Sequence, residues 1–314
     1  MKIALCFIIN YKHILNKEDI WREWIEPNKD IINVYFFYKD FRKIKSDWIR
    51  ENAIPPSCIV ETSYYHVVPA YLSILNFACR HDEQNTWFAM LTDSCCPIIS
   101  PKRFRYLFYK NYDLSIFSWK QAWWNPTFHK RGNLAKLPKE LWLANDPWFV
   151  LTRENLKQIF HFISTQETIT KTICDGGIAN ESLFAIIFKF YKELEDESSN
   201  THINCSVSHL ADWYRRSSTT SPHVFKIADE QDIKFIDSEL EKNHYAMFIR
   251  KVDSEFPNEI IRHYIYELNR ESDNKLILIE PMIMTYNRYV SLVKKNFYFL
   301  SCIMVLYVLY LMLL

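Results

Sequence analysis

The chain has 314 residues, enough for one large domain or two small ones. Hydrophobic residues make up 49% and aromatic ones 16%, which calls for a sizeable core and many ring-lined surfaces. A net charge of +1 excludes a partner chosen by bulk electrostatics, nucleic acid above all.

In chain order, Ile3 to Ile9 reads as a buried first strand; it is too brief, and lacks the cleavage site, for a signal peptide. Asn16 is placed to cap a helix whose apolar face is Ile20, Trp21, Trp24 and Ile25. Ile31 to Tyr38 is a strand rich in β-branched and aromatic residues. Pro55-Pro56 marks a turn, with a short strand expected at Cys58 to Val60, and Val68 to Cys79 has helical spacing. Thr86 to Leu91 is a buried strand that stops at Thr92-Asp93-Ser94, after which Ser100-Pro101 opens a helix. Leu114 to Trp119 is a further strand. Gln121 to Pro147 has little periodicity and is expected to be a functional surface loop. Trp148 to Leu151 is a short strand running into Thr152, the cap of another helix.

Cys174 to Phe188, CDGGIANESLFAIIF, then holds two of the three glycines in the sequence. Asn180 is expected to cap a helix in which Leu183, Phe184, Ile187, Phe188, Tyr191 and Leu194 recur, so Glu181 falls in its first turn. Further on, Tyr245 to Ile249 is apolar and ends in Arg250-Lys251. Strands alternating with helices predict an α/β domain with a mostly parallel central sheet flanked by helices. Ligands of such sheets bind at the carboxyl ends of the strands, here Asn10, Asp40 and the Thr92-Asp93-Ser94 turn.

Two features bear on the surroundings. Eight cysteines show neither zinc-ligand spacing nor a Cys-x-x-Cys pair, so buried free thiols are expected; a bridge from Cys95 or Cys96 to Cys174 is the alternative. Phe297 to Leu314 is an uncharged run preceded by Lys294 and Lys295. At 1.5 Å per residue it would reach roughly 27 Å as a helix, enough for a thin bilayer. The lysines favour a cytosolic-facing domain, with a lumenal orientation as the other case. The expected organisation is a catalytic domain over 1–270, a connector over 271–296 and a membrane tail anchor over 297–314.

Five segments, in order, resemble the core-2/I-branching β-1,6-N-acetylglucosaminyltransferase family, which also contains peptide O-xylosyltransferases. They are WFAMLTDSCCPI (Trp87 to Ile98), NDPWFVLTREN (Asn145 to Asn155), ANESLFA, VSHLADWYRRSSTTSPHVF and MFIRKVD (Met247 to Asp253). Asn180 stands where the family has Asp. The resemblance implies a GT-A-like nucleotide-sugar-binding fold and an inverting, metal-independent transfer from a UDP-sugar, with GlcNAc the first candidate and xylose another, to a glycan or protein acceptor. Glu181 matches the family's general base, which takes the acceptor hydroxyl's proton. Lys251 matches its phosphate-binding lysine and Arg250 the arginine beside it. Asp93 and Ser94 are placed to touch the nucleotide or donor sugar. Trp124, Lys130, Arg131 and Trp142 lie where the family binds its acceptor. No metal is implied, and the chain has no Asp-x-Asp to hold one. A second phosphate-binding cation is sought among Arg215, Arg216, His223 and Lys226. The two glycines are expected to let the backbone approach the sugars. The reading from another class is a degenerate family member that binds glycans or serves as a structural membrane protein. A Ser94-based hydrolase triad lacks the Gly-x-Ser-x-Gly elbow.

Overall fold

The computed structural model describes residues 1–63, 65–122, 130–194, 202–267 and 293. Its organising strand is β1 (Lys2–Ile8), where Ile3, Leu5 and Phe7 join one apolar cluster and Ala4 and Cys6 join another. Side chains along a strand alternate between faces, so a run apolar throughout must be covered on both sides. β1 accordingly lies between β2 (Ile32–Phe37) and β3 (Asn85–Thr92), parallel to both. Around them come α1 (Glu18–Ile25), α2 (Asp47–Glu51) and α3 (Val68–His81). The expected apolar face of α1, Ile20, Trp21, Trp24 and Ile25, is buried. Its cap is not Asn16: the helix starts after Lys17 without a side-chain cap, and the Asn16 carboxamide donates to the Val252 carbonyl at 2.7 Å. A tertiary partner took the group that local capping would have used. The strand expected at Cys58 to Val60 is instead a single 3₁₀ turn, Pro56–Cys58, because proline at its start fixes the turn's φ.

Beyond β3 the chain enters β4 (Cys96–Pro97) and then α4 (Pro101–Asn111), which Ser100 caps by accepting the Arg103 N–H. The strand expected over Leu114 to Trp119 is broken in two. β5 (Ser115–Ile116) belongs to the central sheet, whereas β6 (Trp119–Gln121) pairs with β7 (Leu143–Asn145) on a partly exposed ribbon. β8 (Val150–Thr152) follows, and Thr152 caps α5 (Arg153–Thr165) as expected. Arg153 then clips the layers together, donating to the carbonyls of Asn85 at 2.7 Å, Cys79 at 2.9 Å and Asp82 at 2.8 Å. The remaining elements are α6 (Glu167–Cys174), α7 (Leu183–Phe190), β9 (Ile203–Asn204), β10 (His209–Ala211), α8 (Glu230–Lys242), β11 (Phe248–Arg250) and α9 (Asn258–Arg262).

The central sheet runs in the order β2-β1-β3-β8-β5-β9, and β8 alone points against the others. The fold is therefore mixed α/β with a mostly parallel sheet. A smaller sheet, β10-β11-β4, joins β11 to the chain just past the carboxyl end of β3. That join brings residues some 150 positions apart to one edge, and it sets up the site. The seven cysteines among the described residues are free thiols. Among the described residues no helix is long and apolar enough to cross a membrane; the run from 297 to 314 lies outside them.

Candidate active site

Glu181 is delivered by an unusual approach to α7. After α6 ends, Gly176 packs so closely on Asn133 that an added Cβ would overlap the carboxamide. The glycine thus serves packing between two protein segments, and it does not line the cleft where sugars were expected to meet it. Ile178 takes a left-handed conformation, φ 58°, costly for a β-branched residue, and its N–H donates to the Tyr65 carbonyl at 2.7 Å. Ala179–Glu181 is one 3₁₀ turn, and α7 begins only after Ser182. Asn180 is therefore inside the turn and caps nothing. The helix start is served from β7: the Asn145 carboxamide accepts the Ala185 N–H at 3.2 Å and donates to the Asn180 carbonyl at 3.0 Å. One Glu181 oxygen accepts from Arg131 Nη2 at 2.6 Å, in a pair whose arginine side chain is 4% exposed and whose glutamate is 36% exposed.

Facing Glu181 is a basic strand end. Arg250 closes β11 fully within the protein, its guanidinium 3.3 Å from the Trp148 ring centroid. Stacking of this kind places a cation on the negative face of the indole. Its Nε and Nη1 are buried and make no hydrogen bond among the described residues. Lys251 Nζ donates to Ser221 Oγ at 2.5 Å. Burial lowers the Lys251 pKa and the adjacent Arg250 charge lowers it further, with Asp93 opposing. Asp93 lies beneath, where burial raises its carboxyl against the pull of the Asn10 N–H, Arg250 and Lys251. Asp146 is likewise raised by burial, with Ser118, Lys120 and Arg250 pulling it down and Glu181 pushing it up.

These groups share a cleft of about 680 Å³ at the carboxyl edge of the sheet. Glu181, Arg131, Arg250 and Lys251 all line it. Asp93 and Ser94 do not; Asp93 sits behind the lining, and Ser94 holds β11's exit by accepting the Val252 N–H at 2.8 Å. Lys130 is exposed, at φ 60°, and its carbonyl accepts the Gly177 N–H at 3.2 Å. The Trp142 indole donates to Leu137 at 3.0 Å and so braces its own loop. Trp124 lies outside the described residues. At the strand edge, Asp40 turns away to Arg42 while its N–H donates to His13 at 2.9 Å.

Of the four basic residues considered for the diphosphate, three are engaged elsewhere. Arg215 is held by Asp212 at 2.6 Å, Asp232 at 3.0 Å and Asp229 at 3.5 Å. His223 meets Asp232 at 2.9 Å, and Lys226 meets Glu255 at 3.0 Å. Arg216 lines the cleft, lying 5.9 Å over the Trp213 ring. Sequence reasoning did not single out Asp146, Trp148, Trp213 or Ser221. All four lie inside the segments NDPWFVLTREN and VSHLADWYRRSSTTSPHVF, but nothing local says that these side chains turn to the cleft or to Lys251.

A family model for the core-2/I-branching enzymes matches residues 32–237, more than half of the chain, and the protein belongs to that family. The family consists of glycosyltransferases, so this chain is one, with a nucleotide-sugar donor and a glycan acceptor as the partners that class implies. No curated protein matches the sequence. Among solved structures, 4-diphosphocytidyl-2C-methyl-D-erythritol synthase from Anaerococcus prevotii is similar at 11% identity, over 76% of this chain and 99% of that one, with a TM-score of 0.32. A likeness that slight carries no argument.

Proposed function

We propose that the protein is an inverting, metal-independent transferase on a GT-A-like fold that moves a sugar, N-acetylglucosamine first, from a UDP-sugar to a hydroxyl of a glycan or protein. The observation that carries this reading is the meeting of one accessible carboxylate, Glu181, with the cations Arg250, Lys251 and Arg216 around one cleft. Glu181 takes the proton of the acceptor hydroxyl as its oxygen attacks the anomeric carbon from the face opposite the nucleotide. The C–O bond to the diphosphate breaks, and UDP leaves with the electron pair. Preorganised positive charge where that charge develops lowers the barrier, and Lys251, Arg216 and the buried Arg250 are the groups in place for it. Asp93 tunes Lys251 from behind. The aromatic walls Trp119, Trp148 and Trp213 suit the C–H faces of sugars, which supports a carbohydrate acceptor.

Full-length protein in detergent, with EDTA present, is expected to release UDP from UDP-GlcNAc. Glu181→Gln should lower that rate by about 100-fold or more while UDP still binds. Undiminished turnover in the variant would remove Glu181 from the role of base. UDP binding without turnover of any UDP-sugar would instead favour the glycan-binding, non-catalytic member of the family.

The organisation that accompanies this reading is a catalytic domain over 1–270, a connector over 271–296 and a membrane anchor over 297–314, with the domain facing the cytosol. Resistance to alkaline extraction tests the anchor. Protease digestion of intact microsomes tests the orientation, and a protected domain would place it in the lumen.

A further inference from the structure

We infer that Arg131 is the positioning residue for Glu181, fixing the orientation in which the carboxylate meets an acceptor; the inference rests on Glu181 being the base. Three observations on either side of the ion pair carry it. First, the pair is lopsided: Arg131 is a buried wall and Glu181 opens to the cleft, with Oε2 taken up by Nη2 at 2.6 Å. Engaging one oxygen leaves Oε1 as the free acceptor for a hydroxyl proton.

Second, the segment that carries Arg131 is fastened to the end of α6 and to the Gly177 link that leads into the turn carrying Glu181. The Gly177 N–H donates to the Lys130 carbonyl at 3.2 Å. The Asn133 carboxamide donates to the Ile173 carbonyl at 3.1 Å and also to that of Thr172. Gly176 is bare so that this contact can close. Arg131 therefore moves with the turn as one piece, and the distance between the two charges is set by backbone and not by a flexible loop.

Third, Glu181 needs such a restraint. It sits in a single 3₁₀ turn ahead of α7, outside a regular helix, on a side chain rich in rotamers. Asp146 and Tyr71 also face it and supply no positive charge, and across the cleft none of Arg250, Lys251 and Arg216 is hydrogen-bonded or ion-paired to it among the described residues. A planar guanidinium holds a carboxylate in a defined plane, which an ammonium does not. A base displaced by about 1 Å loses on the order of 100-fold in rate.

This assignment differs from a direct acceptor contact. An acceptor contact would appear in the acceptor's KM. A positioning group appears in kcat, and a merely structural group would lower stability and UDP affinity together.

The test uses the full-length protein, UDP-GlcNAc as the donor probe, and UDP release as the readout. Arg131→Met is expected to lower kcat by about 100-fold with KM for UDP-GlcNAc and the affinity for UDP unchanged. Arg131→Lys should recover part of the loss, and added guanidinium should recover part of it in Arg131→Ala. A crystal structure of Arg131→Met should show the Glu181 carboxylate turned from its place, whatever the turnover. Unchanged kcat, an unmoved carboxylate, or equal losses in kcat and UDP affinity would each overturn the proposal. Glu181→Gln separates the two ideas. If it is fully active, the base is misassigned; if it is inactive while Arg131→Met keeps its kcat, only the positioning role fails.

Discussion

Asp93 shows what the cleft demands of single residues. It lies behind Arg250, at the end of β11, and Lys251 just past it, yet burial raises its carboxyl above the ordinary value of 3.8. Between that unfolded value and the raised folded one, the folded chain binds more protons than the unfolded chain, so this group's contribution to stability falls as pH rises through the window. Above the folded value the carboxylate is ionised in both states and its burial is unfavourable. Asp93→Asn is therefore expected to raise the thermal unfolding midpoint at pH 7. The gain should shrink as pH falls through the folded value towards 3.8, where the native carboxyl is itself neutral. Unfolding scans of both proteins across that range check it; a gain independent of pH would contradict the account. A stabilising change at a charged site commonly lowers function, and weaker UDP binding in the same variant is the matching expectation.

Among the elements, α7 supplies the firmest backing for the candidate base. Phe184 is fully buried, edge-on to Phe149 with ring centroids 4.9 Å apart and 6.0 Å from Tyr71. Phe184→Ala removes that packing and is expected to cost about 3–5 kcal/mol, measurable as a lowered urea midpoint. A cost under about 1 kcal/mol would mean that the site collapses around the gap. The apolar face of α7, and of α1, was legible because helical spacing is a local signal. The caps of α4 and α5 were legible for the same reason, since Ser100 and Thr152 serve donors three residues on. The start of α7 was not, because Asn145 reaches it from forty positions earlier. Lys251 and Glu181 could be singled out by motif and Arg131 by its loop, but not the pairing of Lys251 with Ser221 or of Glu181 with Arg131, since those partners come from segments 30 and 50 residues away. Asp40 was legible as a strand-end acid, but its own neighbour Arg42 takes it.

At the scale of the molecule, the family match over residues 32–237 is shorter than the folding unit. β1, at Lys2–Ile8, is the strand between β2 and β3, and β11, at Phe248–Arg250, holds the basic end of the cleft. A fragment of residues 32–237 would expose both edges that β1 occupies. It is expected to lack cooperative thermal unfolding and dispersed amide NMR signals, whereas residues 1–267 should show both. A native-like spectrum from the shorter piece would contradict the central place given to β1. The sheet also divides the apolar interior in two. Leu183, Phe184 and Ile187, behind the acid, belong to one face, and Phe248, Ile249 and Val252, flanking the basic strand end, belong to the other. Hereditary change can therefore accumulate on one face while the other keeps its shape. A lineage carrying this fold is free to reshape the acid's side of the cleft without disturbing the packing behind its basic strand end.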